Sequence, residues 1–294
     1  MKAMLLSKIC RVDDAAEPLV AADMPEPRPA EDEILIRVSA CGVCHTELDE
    51  IEGRTPPPRM PIIPGHQVVG RIVARGKKAE GFHTGDRVGV AWIYSACGGC
   101  RHCRGDAENL CDRFRATGRD AHGGYAQYMK AKAAFAHRLP DIFEDAEAAP
   151  LLCAGAIGYR SLKLTGVSDG DALGLTGFGA SAHLVLKMAM HRYPNLPVYV
   201  FARNPDVRQF ALSLGAAWAG DIGDRCPADL DAVIDTTPAW KPVVCALASL
   251  RAGGRLVVNA IRKEKRDQDC LLKLSYPEHL WMEKEVKSVA NVTR

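Results

Sequence analysis

The sequence predicts a two-part protein. A small, partly open β barrel occupies residues 1–154, and a doubly wound parallel sheet of the α/β class occupies residues 155–294. Three observations carry this prediction. The first half is a series of short β-patterned runs separated by turns rich in Gly and Pro. From about residue 155 the pattern changes to strands alternating with helices. Gly177-Phe178-Gly179-Ala180-Ser181-Ala182 then fits G-x-G-x-x-A between a strand and a helix. A chain of 294 residues is long enough for about two domains.

In order along the chain, Pro25, Pro27 and Pro29 mark an extended approach to the first clear strand, Glu33 to Ala40. That strand alternates apolar and polar residues with β-branched side chains. Val68 to Ala74 and Arg87 to Trp92 read as further strands. Gly53 to Pro58 and Gly81 to Asp86 are the turns between them. In the second half Ala172 to Thr176 is a short buried strand and Ala180 to His191 has helical periodicity. Val198 to Ala202 is the next strand, and Pro205 to Leu214 is a helix ended by Gly215. Ala232 to Asp235, Lys241 to Leu250 and Arg255 to Ala260 continue the alternation. Lys287 to Val292 reads as the last strand of the sheet.

A hydrophobic fraction of 47% and a charged fraction of 25% belong to an ordinary globular protein. A net charge of +2 gives no reason to expect nucleic acid or an acidic membrane surface as partner. Met1 to Leu6 reads as too short and too soon charged for a secretory signal, and no apolar run approaches the ~20 residues of a membrane span. Eleven cysteines without an export signal then point to reduced thiols in the cytoplasm, hence to metal ligands rather than disulfides.

Four of those cysteines, Cys97, Cys100, Cys103 and Cys111, have the spacing C-x2-C-x2-C-x7-C. Four thiolates complete a tetrahedral zinc site with no open position, so this loop reads as a structural metal site. At the G-x-G turn, Gly177 permits the tight turn and Gly179 lets a pyrophosphate approach the backbone. Ala182 lets helix and strand pack closely, which together predicts dinucleotide binding. About twenty residues on stands Arg203 rather than a carboxylate. Arg203 suits the 2′-phosphate of NADP, while nearby Asp206 keeps NAD open. Cys44, His66 and Cys153 are further candidate ligands. Spacing alone does not show that they converge, and each by itself reads as a satisfied core thiol or a surface imidazole rather than as a ligand.

Four motifs in order, Cys41-Gly42-Val43-Cys44-His45-Thr46, Pro64-Gly65-His66, the four-cysteine loop and the G-x-G turn, resemble the zinc-dependent medium-chain alcohol dehydrogenases. The resemblance covers essentially the whole chain. It implies a GroES-like barrel followed by a Rossmann domain, with the active cleft between them. It also implies that Cys44, His66 and Cys153 hold a catalytic zinc; two cysteines and a histidine are the known ligand set of that family, so the assignment comes from the resemblance and not from spacing. With the four-cysteine loop, two zinc ions per chain are expected. By the same resemblance Thr46 bonds the substrate oxygen and starts a proton relay, and His45 reaches the cofactor pyrophosphate. Glu47 orients a ligand imidazole, and Trp92 walls the substrate pocket.

Three departures from the family pattern stand out. Gln67 replaces the acid of the usual Gly-His-Glu. Asp49 replaces the His that ends the relay in many members. The chain also lacks the segment that in relatives follows the last sheet strand and returns to the catalytic half, and that loss is expected to expose apolar surface there. The implied activity is reversible oxidation of a primary or secondary alcohol to an aldehyde or ketone with NAD or NADP, in a homo-oligomer, dimer or tetramer. The alternatives are a zinc-free quinone or enone reductase on the same scaffold, and a nucleotide-binding protein without catalysis.

Overall fold

The structure, a computed structural model, describes residues 1–14 and 17–294. It divides into two units, Met1–Cys153 with Asn291–Arg294, and Ala154–Ala290. The first unit contains β1 (Lys2–Leu5), β2 (Val20–Asp23), β3 (Glu33–Gly42), α1 (His45–Ile51), β4 (Gln67–Arg75), β5 (Arg87–Val90), β6 (Ile93–Ser95), α2 (Arg101–Arg104), β7 (Arg115–Ala116), β8 (Tyr128–Lys132), β9 (Ala136–Arg138) and α3 (Asp145–Ala148). Its main sheet is antiparallel, in the order β8-β3-β4-β5-β9. The long strand β3 shifts register against β4 at Leu35/Ile36 and again at Val38/Ala40. Such bulges bend and twist a strand, which curls the sheet around its core of Ile34, Ile36, Val68, Ile72, Val88 and Met129.

Two details differ from the sequence reading. The alternation expected of β3 begins only at Arg37, because Glu33 and Leu35 are buried as well as Ile34 and Ile36; α3 and the following turn Ala149–Leu152 pack against this strand. The Glu33 carboxylate, 3% exposed, is satisfied by the Tyr94 hydroxyl at 2.8 Å, the Ala30 N–H at 2.9 Å and the Lys130 ammonium at 3.0 Å. Burial alone would raise its pKa. The hydrogen bonds from Ala30, Lys130 and Tyr94 outweigh burial and bring it down to about 2. Secondly, the strand expected over Arg87 to Trp92 ends at Val90. The chain leaves the main sheet there and resumes as β6 in a separate pair with β7, so Trp92 stands at a corner rather than in a ladder.

The second unit contains α4 (Ala154–Thr165), β10 (Leu173–Thr176), α5 (Ala180–Arg192), β11 (Val198–Phe201), α6 (Pro205–Ser213), β12 (Trp218–Gly220), β13 (Leu230–Asp235), α7 (Lys241–Ser249), β14 (Leu250–Val258) and β15 (Glu285–Ser288). The strands form one parallel sheet in the order β12-β11-β10-β13-β14-β15. This is the doubly wound arrangement, and its order reverses between β10 and β13. The α5 stripe Ala182, Val185, Leu186 and Ala189 has the i, i+3, i+4, i+7 spacing and is fully buried against Leu173, Leu175, Val198 and Val200.

The final strand lies a little earlier than the Lys287 to Val292 expected. Its register pairs Glu285 with Arg255 and Ser288 with Val258, and the Arg255 guanidinium grips the Glu285 carboxylate at 2.8 and 2.9 Å. Ladder pairing ends with β14 at Val258, and Asn291–Arg294 belong to the first unit. Among the described residues no helix is long and apolar enough to cross a membrane.

Candidate metal centres and dinucleotide turn

Among the described residues, two clusters of metal-ligating side chains lie in the first unit. Cys44, His66 and Cys153 bring their ligand atoms within 4.8 Å of one another, and so do Cys97, Cys100, Cys103 and Cys111. In the three-residue cluster each donor is set by its own element. Cys44 is the N-cap of α1, and its Sγ accepts the Thr46 N–H at 3.3 Å. His66 immediately precedes β4 and directly follows Gly65, whose φ of +96° is available to glycine at little cost. A Cβ there would lie 2.6 Å from the Tyr125 ring and 2.8 Å from the Cys41 sulfur. Cys153 closes the turn Ala149–Leu152, its N–H donating to the Pro150 carbonyl at 3.3 Å.

The His66 ring, 1% exposed, presents Nε2 to Cys44 Sγ at 3.6 Å and Nδ1 to Glu47 Oε1 at 2.6 Å. Neither Nδ1 nor Oε1 has another hydrogen-bond partner among the described residues. Glu47 Oε2 accepts the Cys44 N–H at 2.8 Å, so one carboxylate closes the capping box of α1 and abuts the ligand imidazole. A donated hydrogen bond from Cys153 lowers the Cys44 pKa and raises that of Cys153, so the thiol pair shares one proton. Burial opposes a charge on His66, but Cys44 and Glu47 together raise its pKa to about 10. The protons held by the thiol pair and the imidazolium at such a site are what a divalent cation displaces.

Zinc fits both donor sets. Zn–S of about 2.3 Å and Zn–N of about 2.0–2.1 Å in tetrahedral geometry require an S···N edge of about 3.6 Å and an S···S edge of about 3.8 Å. Cys44 to His66 is 3.6 Å, Cys100 to Cys103 is 3.6 Å and Cys97 to Cys103 is 3.8 Å. All eleven cysteines are free thiols. In the four-cysteine loop, backbone N–H groups donate to the sulfurs: Cys97 and Arg113 to Cys111 at 3.4 Å, and Cys100 to Cys97 at 3.3 Å. The N–H groups of Gly99 and Cys100 lower the Cys97 pKa to about 5, while burial raises that of Cys103 to about 12.

Around the three-residue cluster, Thr46 is half-buried and His45 is exposed at the start of α1. Trp92 meets the His66 ring edge-on, with centroids 4.9 Å apart at 76°. Asp49 is 1% exposed and its Oδ1 takes the Arg54 Nε at 2.5 Å. Gln67 lies buried at the head of β4 against Gly42. Glu50 was not foreseen, because a Glu in a short helix reads as a solvent-facing residue. It is 1% exposed, and neither carboxylate oxygen has a hydrogen bond among the described residues. Burial first, then the Glu47 charge one turn back, push its pKa up to about 8.

In the second unit Gly177 has φ +77° and Gly179 is the N-cap of α5. A Cβ at Gly177 would lie 2.8 Å from the Thr236 hydroxyl and 2.9 Å from the Thr237 methyl, whereas at Gly179 it would meet nothing within 4 Å. Ala182 is fully buried, and Arg203 is exposed just beyond β11. The turn opens where the sheet order reverses, beside Thr176, whose hydroxyl donates to Asp235 Oδ1 at 2.6 Å.

Comparison with known proteins agrees with this construction. The domain family "Alcohol dehydrogenase GroES-like domain" matches residues 30–141. A probable alcohol dehydrogenase, AdhA, of Mycobacterium tuberculosis is 45% identical over 94% of this chain and 80% of its own. An alcohol dehydrogenase of Geobacillus stearothermophilus is 35% identical over 85% of this chain and 76% of its own. The crystal structure of AibC superposes with a TM-score of 0.87 at 26% identity, covering 100% of this chain and 82% of that one. A cinnamyl alcohol dehydrogenase from Sorghum bicolor gives 0.84 at 25% identity, covering 99% and 83%. Ordered motifs, fold and relatives agree, and the chain belongs to the zinc-type medium-chain alcohol dehydrogenase family.

Proposed function

We propose that this protein catalyses reversible hydride transfer between a primary or secondary alcohol and NAD or NADP, giving an aldehyde or ketone. Cys44, His66 and Cys153 hold a catalytic zinc, and Cys97, Cys100, Cys103 and Cys111 hold a structural one. The observation that carries the reading is the convergence of two sulfurs and an imidazole nitrogen, far apart in sequence, at zinc-ligand spacing. When bound, the ion supplies Lewis acidity toward an alcohol or carbonyl oxygen, and the dinucleotide supplies the hydride acceptor. The chain's own residues do the rest. Glu47 holds the His66 ring so that Nε2 faces the cluster. The Thr46 hydroxyl, two residues from Cys44, takes the substrate proton. Asp49, one turn further along α1, is the acidic group next in line, with Arg54 fixing its carboxylate. Trp92 screens the ligand side from water.

Gly177, Gly179 and Ala182 support dinucleotide binding, with the first N–H groups of α5 available to a pyrophosphate, and the resemblance alone supports a cofactor-binding role for His45. Arg203 suits NADP without excluding NAD. The free thiols suit a reducing compartment such as the cytoplasm. The exposed side chains Leu272, Tyr276, Trp281, Met282 and Val286, with β15 at the sheet edge, support a homo-oligomer. The test is a spectrophotometric screen of NAD against NADP over short alcohols and aldehydes, with and without chelator. Chelator-sensitive turnover is expected; chelator-resistant reduction of enones or quinones would overturn the reading.

A further inference from the structure

We propose that Asn291 is a positioning residue for Trp92, holding the indole in its orientation beside the metal-ligand cluster and tying it to the four-cysteine loop. Asn291 Oδ1 accepts the Trp92 Nε1–H at 3.1 Å, and its Nδ2 donates to the Asn109 carbonyl at 3.3 Å. The amide assignment follows from the partners: an indole N–H only donates and a carbonyl only accepts, so the reversed amide would satisfy neither. Asn291 has φ +52°, a left-handed backbone that Asn tolerates better than most residues. The strain is held in place by its neighbours. Arg294 Nε donates to Glu108 at 3.0 Å, and its guanidinium lies 4.7 Å above the Phe135 ring. Glu108 and Asn109 immediately precede Leu110 and Cys111, so the segment Asn291–Arg294 grips the closing arm of the four-cysteine loop.

The other end of the linkage is the Trp92 ring, set edge-on to His66. With its N–H bonded, the indole has one preferred face toward the cluster. Without that bond a corner residue outside any ladder is free to rotate about its side-chain torsions. The indole orientation then sets the shape of the space beside the ligands. That consequence rests on the reading of the cluster as the alcohol site; the orientation itself does not.

The test uses two substitutions compatible with the left-handed backbone. Asn291→Gly keeps φ and removes both bonds, whereas Asn291→Asp keeps the acceptor for the indole. The indole N–H resonance of Trp92, assigned by its loss in Trp92→Phe, reads orientation without turnover. It is expected to move in Asn291→Gly and stay in Asn291→Asp. In the kinetic arm, kcat/KM for branched relative to linear alcohols shifts about threefold to tenfold in Asn291→Gly, the effect of one hydrogen bond. NAD(P)H affinity stays as it was, and Asn291→Gly adds nothing in a Trp92→Phe background. A moved resonance in an enzyme without alcohol turnover upholds the positioning and sinks only the substrate reading. An unmoved resonance in Asn291→Gly overturns the proposal, and so does an equal shift in Asn291→Asp.

Discussion

The two glycines of the dinucleotide turn lie two residues apart, yet their substitution has opposite consequences. Gly177→Ala must place an L-residue at φ +77° and push a methyl to within 2.8 Å of the Thr236 hydroxyl and 2.9 Å of the Thr237 methyl. The left-handed backbone costs ~1–2 kcal/mol and the overpacking ~1–3 kcal/mol. Together they correspond to a Tm lower by roughly 5–15 °C. Gly179 has φ −94° and ψ −159°, extended backbone open to any residue, and an added Cβ touches nothing within 4 Å. Gly179→Ala therefore gains about 0.4–1 kcal/mol through the unfolded chain, a Tm unchanged or slightly higher. The methyl instead fills the space a pyrophosphate needs against the first turn of α5. Thermal melts and NAD(P)H fluorescence titration separate the two: Gly177→Ala loses stability, and Gly179→Ala keeps its melt and loses more than about tenfold in affinity. A Gly179→Ala protein with unchanged NAD(P)H affinity would refute the assignment of this turn.

Two further outcomes follow from the first unit. Glu33 has its pKa depressed to about 2, so its contribution to stability is fully present above about 4.5 and is lost as the pH falls through about 2. Glu33→Gln should flatten that part of the acid-unfolding curve by lowering stability at neutral pH, where the contribution of the carboxylate is fully present, towards its value in acid. Glu47→Gln removes the charge beside His66 Nδ1 while keeping an acceptor for the cap of α1. Affinity for the metal of the three-residue cluster should fall about 10- to 100-fold in a competitive chelator titration, with the melt little changed.

The sheets were readable because their signals are local. The strand–turn–helix around Gly177 and the α5 stripe from Ala182 to Ala189 need only neighbouring residues, and both appear where the sequence puts them. The elements at 154–165, 218–220, 2–5 and 20–23 carried weaker patterns and entered only with the structure. The four-cysteine loop was legible for the same local reason. Cys44, His66 and Cys153 were not: each looks ordinary in its own window, and only the ordered motifs suggested that they belong together. Burial in α1 was also hidden. Glu47 and Asp49 were placed at the site only by the resemblance, and Glu50 carried no expectation; the fold withdraws all three from solvent, giving Glu47 a histidine, Asp49 an arginine and Glu50 no hydrogen bond among the described residues. The end of the last strand was misjudged because an edge strand's extent depends on its neighbour. β14 stops at Val258, and the residues after β15 find partners in Trp92, Asn109 and Glu108, long-range contacts that no local pattern announces.

The most direct test of the central claim is metal content measured together with function in the wild-type chain and in Cys44→Ser. The account predicts two zinc ions per wild-type chain and one in the variant, with turnover abolished and NAD(P)H binding retained, since Cys44 and the Gly177 turn lie in different units. A wild-type chain carrying one zinc or none, or a variant that loses nucleotide binding along with turnover, would contradict it.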